Sequence, residues 1–226
     1  MCSSASKFKK LETTIKKTWA SNCHPNIKLI FYKDNGESLF KKKVPILKDT
    51  NLILPCKDGY FNCTEKTLQA FEYVSANFNF EYIFRTNLGS FINFHKIVAF
   101  LIDKPINKFY CGIIGTYKHD DKSIMYASGS GYFLSNDLVE LIVSDRNRFN
   151  HNLIDDVALG EFLANHNVGI NQEAKRLSYN DNQVEYQIGT ETVKTIDDGL
   201  LYHVRLRSSN RDRDIERMQI LFNSKF

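Results

Sequence analysis

The sequence predicts an α/β fold in which helices cover a mainly parallel central sheet. Segments with helical spacing alternate with extended segments along the chain, and this alternation is typical of a sheet covered on both faces. Hydrophobic residues make up 42% of the 226 residues, enough to form a core. No repeat, low-complexity tract or proline-rich linker divides the chain. We therefore expect a single Rossmann-like α/β/α domain over residues 1–226.

Composition and charge exclude several classes of protein. Lys and Arg total 30 against 26 for Asp and Glu, and the net charge of +4 is too small for a dedicated nucleic-acid binder. The same modest basic bias suits a small anionic ligand such as a nucleoside diphosphate. No apolar run approaches the roughly 20 residues of a membrane helix, so no transmembrane segment is expected. The chain has no hydrophobic segment typical of a signal peptide, which predicts a cytoplasmic protein.

The cysteines are expected to be free thiols. Their number is odd, and none of the spacings typical of metal sites occurs. Free thiols are the usual state in a reducing compartment. The five positions are Cys2, Cys23, Cys56, Cys63 and Cys111.

Apolar spacing predicts the elements of the first half of the chain. Leu11, Ile15 and Trp19 recur at helical intervals. Residues 27–32 are rich in apolar side chains and run into turn residues, which is typical of a strand. The same criteria predict a strand over 51–54, a helix over 64–74, a strand over 81–86 and a helix over 94–102.

The second half of the chain continues the alternation. Ser135 is a suitable N-cap for a helix that carries Leu138 and Ile142. A strand is expected over 109–115 and another over 201–206, where apolar and polar residues alternate. Further helices are predicted over 157–164 and around 215–222.

Three motifs follow one another along the chain. The first is Lys16-Lys17-Thr18-Trp19, at the end of a predicted helix. The second combines residues 60–66, Tyr-Phe-Asn-Cys-Thr-Glu-Lys, with 81–86, Glu-Tyr-Ile-Phe-Arg-Thr. The third combines residues 128–135, Ser-Gly-Ser-Gly-Tyr-Phe-Leu-Ser, with 154–160, Ile-Asp-Asp-Val-Ala-Leu-Gly. In order and spacing these motifs resemble those of the β-1,3-galactosyltransferase and Fringe family of glycosyltransferases, over about residues 7–170.

The resemblance implies a GT-A glycosyltransferase that transfers a sugar, with inversion, from a nucleotide sugar to a hydroxyl of a glycan. UDP-sugars are the favoured donors. It implies a nucleotide-sugar half over about residues 1–93 and an acceptor and catalytic half over about 94–226. The positions expected to bind the donor are Ser3, Ser4, Lys66, Arg85, Thr86, Asn87 and Ser90. The positions expected to bind the acceptor are Ser128, Gly129, Ser130, Gly131 and Tyr132.

Asp156 is the candidate general base. The resemblance places it where the family has the aspartate of its Glu-Asp-Val motif, and a carboxylate can accept the proton of an acceptor hydroxyl. Asp155 and Asp156 also precede a predicted helix, where both could merely cap its first turn. We assign the base to Asp156 and expect Asp155 to act as the cap.

The chain departs from the family where the metal site is expected. The family has an Asp-rich triplet that holds Mn²⁺ on the nucleoside diphosphate. Here the matching residues are Asn87, Leu88, Gly89 and Ser90, which include no carboxylate. Hard divalent cations usually take at least one carboxylate. The sequence therefore predicts no tight metal site, and Mn²⁺ as a cofactor is in doubt.

Basic residues near the end of the chain are candidates for the missing positive charge. His203, Arg205 and Arg207 share one face of the predicted strand over 201–206 and its continuation. Guanidinium groups bind phosphate through paired hydrogen bonds, so this face is a candidate phosphate clamp. The alternative is an ordinary solvated edge of the sheet.

Three alternatives to a metal-dependent transferase stay open. The first is a metal-independent transferase in which Arg205 and Arg207 replace the cation. The second is a protein of the same fold that binds glycan without catalysis, since the metal motif is lost. The third is a nucleic-acid-binding α/β module, against which the small net charge argues.

Overall fold

The fold alternates helices and strands in its first half and forms antiparallel hairpins in its second. The computed structural model describes residues 1–2, 5, 8–35, 44–59, 62–119, 122–224 and 226. Its helices are α1 (Lys9–Lys17), α2 (Cys63–Asn77), α3 (Phe94–Leu101), α4 (Asn136–Ser144), α5 (Asp155–Asn165) and α6 (Arg211–Asn223). Its strands are β1 (Phe31–Asp34), β2 (Ile46–Lys48), β3 (Asn51–Leu54), β4 (Tyr82–Thr86), β5 (Ser90–Ile92), β6 (Tyr110–His119), β7 (Lys122–Ser135), β8 (Lys175–Tyr179), β9 (Val184–Ile188), β10 (Glu191–Val193) and β11 (His203–Leu206).

The described strands form three sheets, in the orders β1-β3-β2, β4-β7-β6 and β10-β9-β8-β11-β5. The α/β class predicted from the sequence is confirmed. The pairs β1–β3 and β8–β11 are parallel, whereas the other pairs are antiparallel, so the pairing differs from the mainly parallel sheet that the alternation predicted. The difference arises because β6–β7 and β8–β9–β10 follow one another with short connections, and short connections can join only antiparallel neighbours.

Residues 1 and 2 lie between the edges of the two three-stranded sheets. The backbone nitrogen of Cys2 donates to the carbonyl of Tyr32 in β1 over 2.9 Å. The backbone nitrogen of Met1 donates to the carbonyl of Thr86 in β4 over 2.6 Å. This segment therefore links β1 to β4, and the carboxyl end of β4 leads directly into the candidate site.

Helices pack on these sheets through the apolar stripes that the sequence predicted. Leu11 and Ile15 of α1 and the following Trp19 are buried in the core that also holds the apolar side of β11. Leu68 and Phe71 of α2 pack in a second core between β7 and the helices α4 and α5. No helix within the described parts of the chain is both long and apolar enough to cross a membrane.

Strand β11 separates the larger core from a polar face. Val204 and Leu206 are buried in the core, whereas His203 and Arg205 point to the other side of the sheet, as the period of two requires. The polar face lies against β7, and the candidate site forms where the two meet.

Candidate functional site

A bulge in β7 forms the centre of the candidate site. Residues 128–131 lie where the pairing of β7 with β6 changes register, between Gly112 and Ile114. The segment belongs to a strand because β4 pairs with it through Thr86 and Gly131. Bulges redirect side chains and are frequent next to active sites.

Glycines let charged and aromatic groups approach the backbone of this bulge. A Cβ at Gly129 would lie 2.6 Å from Nη1 of Arg85 and 3.0 Å from Oδ2 of Asp156. A Cβ at Gly131 would lie 2.6 Å from Cε1 of His203. Real Cβ atoms essentially never lie within 3.0 Å of other atoms, so a side chain at Gly129 or Gly131 would force Arg85 or His203 to move.

Asp156 is held against the bulge by a backbone hydrogen bond. Its Oδ2 accepts from the N–H of Gly129 over 2.7 Å, and its Oδ1 accepts from the N–H of Val157 over 3.0 Å. Burial, together with the neighbouring charge of Asp155, raises the pKa of Asp156 above its usual range. The side chain is only partly buried, so it combines a fixed orientation with access for a ligand. These are properties of a general base.

Asp155 forms a buried ion pair with Arg85. Its Oδ2 accepts from Nη2 of Arg85 and, over 3.2 Å, from the hydroxyl of Thr67. The N-cap of α5 is Ile154, so the expectation that Asp155 caps the helix was wrong. Burial opposes the charge of Arg85, but the Asp155 carboxylate raises the pKa of this guanidinium well above its usual range. Nη1 of Arg85 also donates to the carbonyl of Gly129, so the ion pair supports the residue that holds Asp156.

The polar face of the five-stranded sheet brings together side chains from three strands. Arg205 of β11 lies opposite Ser90 of β5 and opposite Ser178 of β8, and side chains of such cross-strand partners share one face. His203 and Arg176 lie two residues along the same strands and therefore also point to this face. The alignment of His203 with Arg205 follows the sequence prediction, whereas Arg176 was not predicted because β8 was not recognised as a strand.

Arg176 is a buried cation with neutral partners. It is 4% exposed, and its guanidinium donates to Oε1 of Gln187 over 3.0 and 2.8 Å and to the hydroxyls of Ser128 and Ser130. Burial and the nearby charge of Arg205 lower its pKa to about 9. Within the described residues it forms no ion pair, which is unusual because buried charges are normally paired.

One of the two hydroxyls beside Arg176 has no hydrogen-bond acceptor for its proton. Ser128 Oγ accepts from Arg176 over 3.3 Å, from Arg205 over 3.4 Å and from the N–H of Ser130 over 3.5 Å. It lies 3.0 Å from Ser130 Oγ, which also accepts from Arg176, and either hydroxyl can donate to the other. Whichever of the two donates, the proton of the other hydroxyl has no acceptor in the part of the chain that the structure describes.

In the family that the sequence resembles, the turn that matches residues 87–90 holds a metal ion. In this chain the side chains of that turn do not suit a metal ion. Oδ1 of Asn87 accepts from the N–H of Gly89 over 3.0 Å and thus closes its own turn. Ser90 Oγ donates to the carbonyl of Ser130 over 3.0 Å and contacts Nε2 of His203 at 3.1 Å. The described residues include no cluster of three or more His, Cys, Asp or Glu side chains that could hold a metal ion. The side chains present at this turn therefore do not match the ligand set of a divalent cation.

His203 is buried between Ser90 and Gly131. Burial, together with the charges of Arg176 and Arg205, holds its pKa well below its usual range, so the imidazole is neutral. Its Nε2 forms a hydrogen bond with Oγ of Ser90 over 3.1 Å. His203 is thus a neutral, hydrogen-bonded side chain close to Arg176 and Arg205.

The remaining predicted residues lie around this site at different depths. Lys66 is buried in ion pairs with Asp34, at 3.3 Å, and Asp58, at 2.7 Å. The side chain of Tyr132 is entirely buried, and its hydroxyl has no partner among the described residues. Thr86 donates its hydroxyl proton to the carbonyl of Ser130 over 2.6 Å.

Three predicted positions remain, of which the structure describes one. The side chain of Arg207 is exposed, at the outer end of the polar face. Ser3 and Ser4 lie outside the described residues. The structure therefore brings Asp156, Ser128 and Arg205 to one surface, with Arg207 at its rim.

In comparisons with known proteins, no family model matches the chain and no curated protein matches it in sequence. The fold and the geometry of the site carry the functional inference.

Proposed function

We propose that this protein is a glycosyltransferase of the GT-A type, which transfers a sugar from a nucleotide sugar to a hydroxyl of a glycan with inversion. One observation carries the proposal: an oriented carboxylate, Asp156, meets two arginines, Arg176 and Arg205, at the same bulge of β7, and neither arginine forms an ion pair with any residue that the structure describes. Sugar transfer requires both a base for the acceptor hydroxyl and positive charge for the leaving diphosphate.

The architecture supports the same proposal. A row of neighbouring extended segments would correspond to the nucleotide-binding part of a GT-A sheet. It consists of the parallel pair β1–β3, the segment at Met1 and Cys2, and then β4. Sheets of this kind bind ligands at the carboxyl ends of their strands. Here β4 ends at Thr86, beside Ser130 of the bulge. The donor would therefore lie over the carboxyl end of β4.

In this proposal Asp156 accepts the proton of the acceptor hydroxyl. The hydroxyl oxygen forms the new bond to the anomeric carbon while the bond from that carbon to the diphosphate oxygen breaks. Attack opposite the leaving group inverts the configuration. A raised pKa makes the Asp156 carboxylate a stronger base than an ordinary aspartate.

A second function follows from the missing carboxylates at Asn87–Ser90. A chain that lost its metal ligands without replacement would bind nucleotide or glycan but would not turn over. In that case Asp156 would orient a glycan hydroxyl by hydrogen bonding. The two functions differ in whether a product forms.

A transfer assay separates them. The purified protein is incubated with a panel of nucleotide sugars, UDP-sugars first, and a mixture of glycan acceptors, and release of nucleoside diphosphate is followed together with the product by mass spectrometry. We expect a product of the opposite anomeric configuration to the donor, as measured by NMR. Stabilisation by glycans without any product would favour the binding protein, and neither stabilisation nor product would refute both functions.

A further inference from the structure

The polar face of the five-stranded sheet has positive charge and hydrogen-bond donors in excess. Arg176, Arg205 and Arg207 form no ion pair within the described residues, and Glu185 acts on Arg176 only at longer range. The charge of Asp156 acts on Arg205 in the same way. This face therefore carries more positive than negative charge where it meets β7.

The donors converge on one place. Arg176 and Arg205 both donate to Ser128 Oγ, so the two guanidinium groups lie on either side of a single hydroxyl. Only one of the hydroxyls of Ser128 and Ser130 can donate to the other, so the proton of the second has no acceptor among the described residues. A ligand that satisfies this cluster must supply negative charge and several acceptor oxygens, which is the chemistry of a phosphate group.

We propose that Arg176 and Arg205, with the hydroxyls of Ser128 and Ser130, form a diphosphate site that binds the leaving group of the donor directly, without a metal ion. The site rests on the proposed function only in assigning the diphosphate to a nucleotide sugar. Arg205 is partly exposed and contacts the anion, while the buried Arg176 fixes the serine hydroxyls and adds its charge from below. Arg207 extends the positive surface outward.

This arrangement supplies positive charge for the diphosphate, which the turn at Asn87 cannot hold in the form of a metal ion. In a metal-dependent site a divalent cation neutralises the diphosphate and is itself held by carboxylates. Here the carboxylates are missing from the turn, and two cations take their place on the same sheet: Arg205 lies one strand away, as the cross-strand partner of Ser90, and Arg176 lies two strands away on β8. Positively charged groups that are already oriented stabilise the charge that develops on a leaving group.

Titration calorimetry with inorganic pyrophosphate in the presence of EDTA tests the site. We expect the full chain to bind pyrophosphate, and to bind it more tightly than orthophosphate because two phosphoryl groups bring more negative charge to the two arginines. Arg205→Gln should weaken pyrophosphate binding about 10- to 100-fold, the usual effect of losing a charge-assisted hydrogen bond, and Arg176→Gln should also weaken it, because the positive charge beneath the serine hydroxyls is lost.

A matched control is Arg148→Gln. Arg148 is exposed and forms a surface ion pair with Asp145 at 3.4 Å, so its loss should leave the affinity unchanged. If the buried Arg176→Gln variant does not fold, as judged by its circular dichroism and melting transition, the partly exposed Arg205→Gln variant decides. Unchanged affinity in Arg205→Gln, or binding that requires Mn²⁺, would overturn the proposal.

The same variants separate this inference from the proposed function. Pyrophosphate binding that depends on both arginines, in a protein that transfers no sugar, would support the anion site and refute the transferase. Sugar transfer that requires Mn²⁺, with pyrophosphate binding unaffected by either substitution, would refute the anion site and leave the transferase standing.

Discussion

The N–H of Gly129 donates to the carboxylate of Asp156 over 2.7 Å. The carbonyl of the same glycine accepts from Arg85, which is paired with Asp155. The N–H and the carbonyl of Gly129 thus connect Asp156, the candidate base, to the buried ion pair of Arg85 and Asp155. The orientation of Asp156 is therefore set by the bulge in β7 rather than by its own helix alone.

Replacing Gly129 should misplace the base. In Gly129→Ala the new Cβ would lie 2.6 Å from Nη1 of Arg85 and 3.0 Å from Oδ2 of Asp156, so one of these groups must move. We expect the transfer rate to fall about 10- to 100-fold, because shifts near 1 Å have such effects on catalysis. Gly169→Ala is the matched control, since a Cβ there meets nothing within 4 Å. Equal rates for both variants would contradict the role of Gly129.

The buried ion pair should be important for stability. Asp155→Ala leaves the buried guanidinium of Arg85 without its charged partner, and such a loss typically costs about 3–5 kcal/mol in the free energy of unfolding. The double variant Arg85→Met with Asp155→Leu should lose less than Asp155→Ala, because no unpaired charge stays behind. Urea unfolding measures both. As a comparison, Arg146→Gln removes partly exposed ion pairs with Glu65 and Glu72, and should cost no more than about 1 kcal/mol.

The buried neutral His203 should make the fold sensitive to acid. Its pKa is lower in the folded chain than in the unfolded chain, where histidine titrates near ~6.5. Below that pH the unfolded state binds more protons than the folded state, so stability falls as the pH falls, by at most about 1.4 kcal/mol per pH unit.

The substitution His203→Gln tests this dependence. The variant should lose less stability than the wild type between about pH 7 and pH 5, where the unfolded histidine becomes protonated. His151→Gln, at an exposed position, is the control. If His203→Gln shows the same pH dependence as the wild type, His203 is not the group responsible.

Removing divalent cations should have little effect on transfer. The only donor oxygen of the side chain of Asn87 closes its own turn, and the positive charge at the site comes from arginines. If the protein transfers sugar as proposed, we expect it to keep most of this activity in EDTA. Complete loss in EDTA with recovery on adding Mn²⁺ would show that a metal binds through other ligands.

The sequence predicted the helices well because their burial is one-sided, whereas the strand expected over 27–32 is observed over Phe31–Asp34. The stripe of Leu11 and Ile15 follows from an apolar period of 3.6, and the strand over 51–54 follows from a short apolar run. The strands β8 and β9 were missed although Leu177 and Tyr179 alternate with polar residues. Their polar residues face the candidate site, so the segment resembled a solvated loop.

The candidate site was predicted only in part for a different reason. Asp156, Arg205 and the glycines of the bulge stand in local motifs, whereas the role of Arg176 depends on its position beside β11. The pairing of Asp155 with Arg85 likewise joins positions that are 70 residues apart. Contacts between distant positions leave no local pattern in the sequence. In the sequence an aspartate before a helix is the same whether it caps the helix or pairs with a distant arginine.

The most direct test of the central claim is the transfer rate of Asp156→Asn. The substitution keeps the size of the side chain and removes its basicity, and a general base typically contributes ~10²–10⁴-fold to the rate. Asp212→Asn, also in the first turn of a helix but exposed, is the matched control. The account predicts that Asp156→Asn loses transfer by this factor, while the nucleoside diphosphate still raises the melting temperature as in the wild type and Asp212→Asn stays fully active. Near-normal turnover by Asp156→Asn would contradict the assignment of the base and, with it, the proposed mechanism.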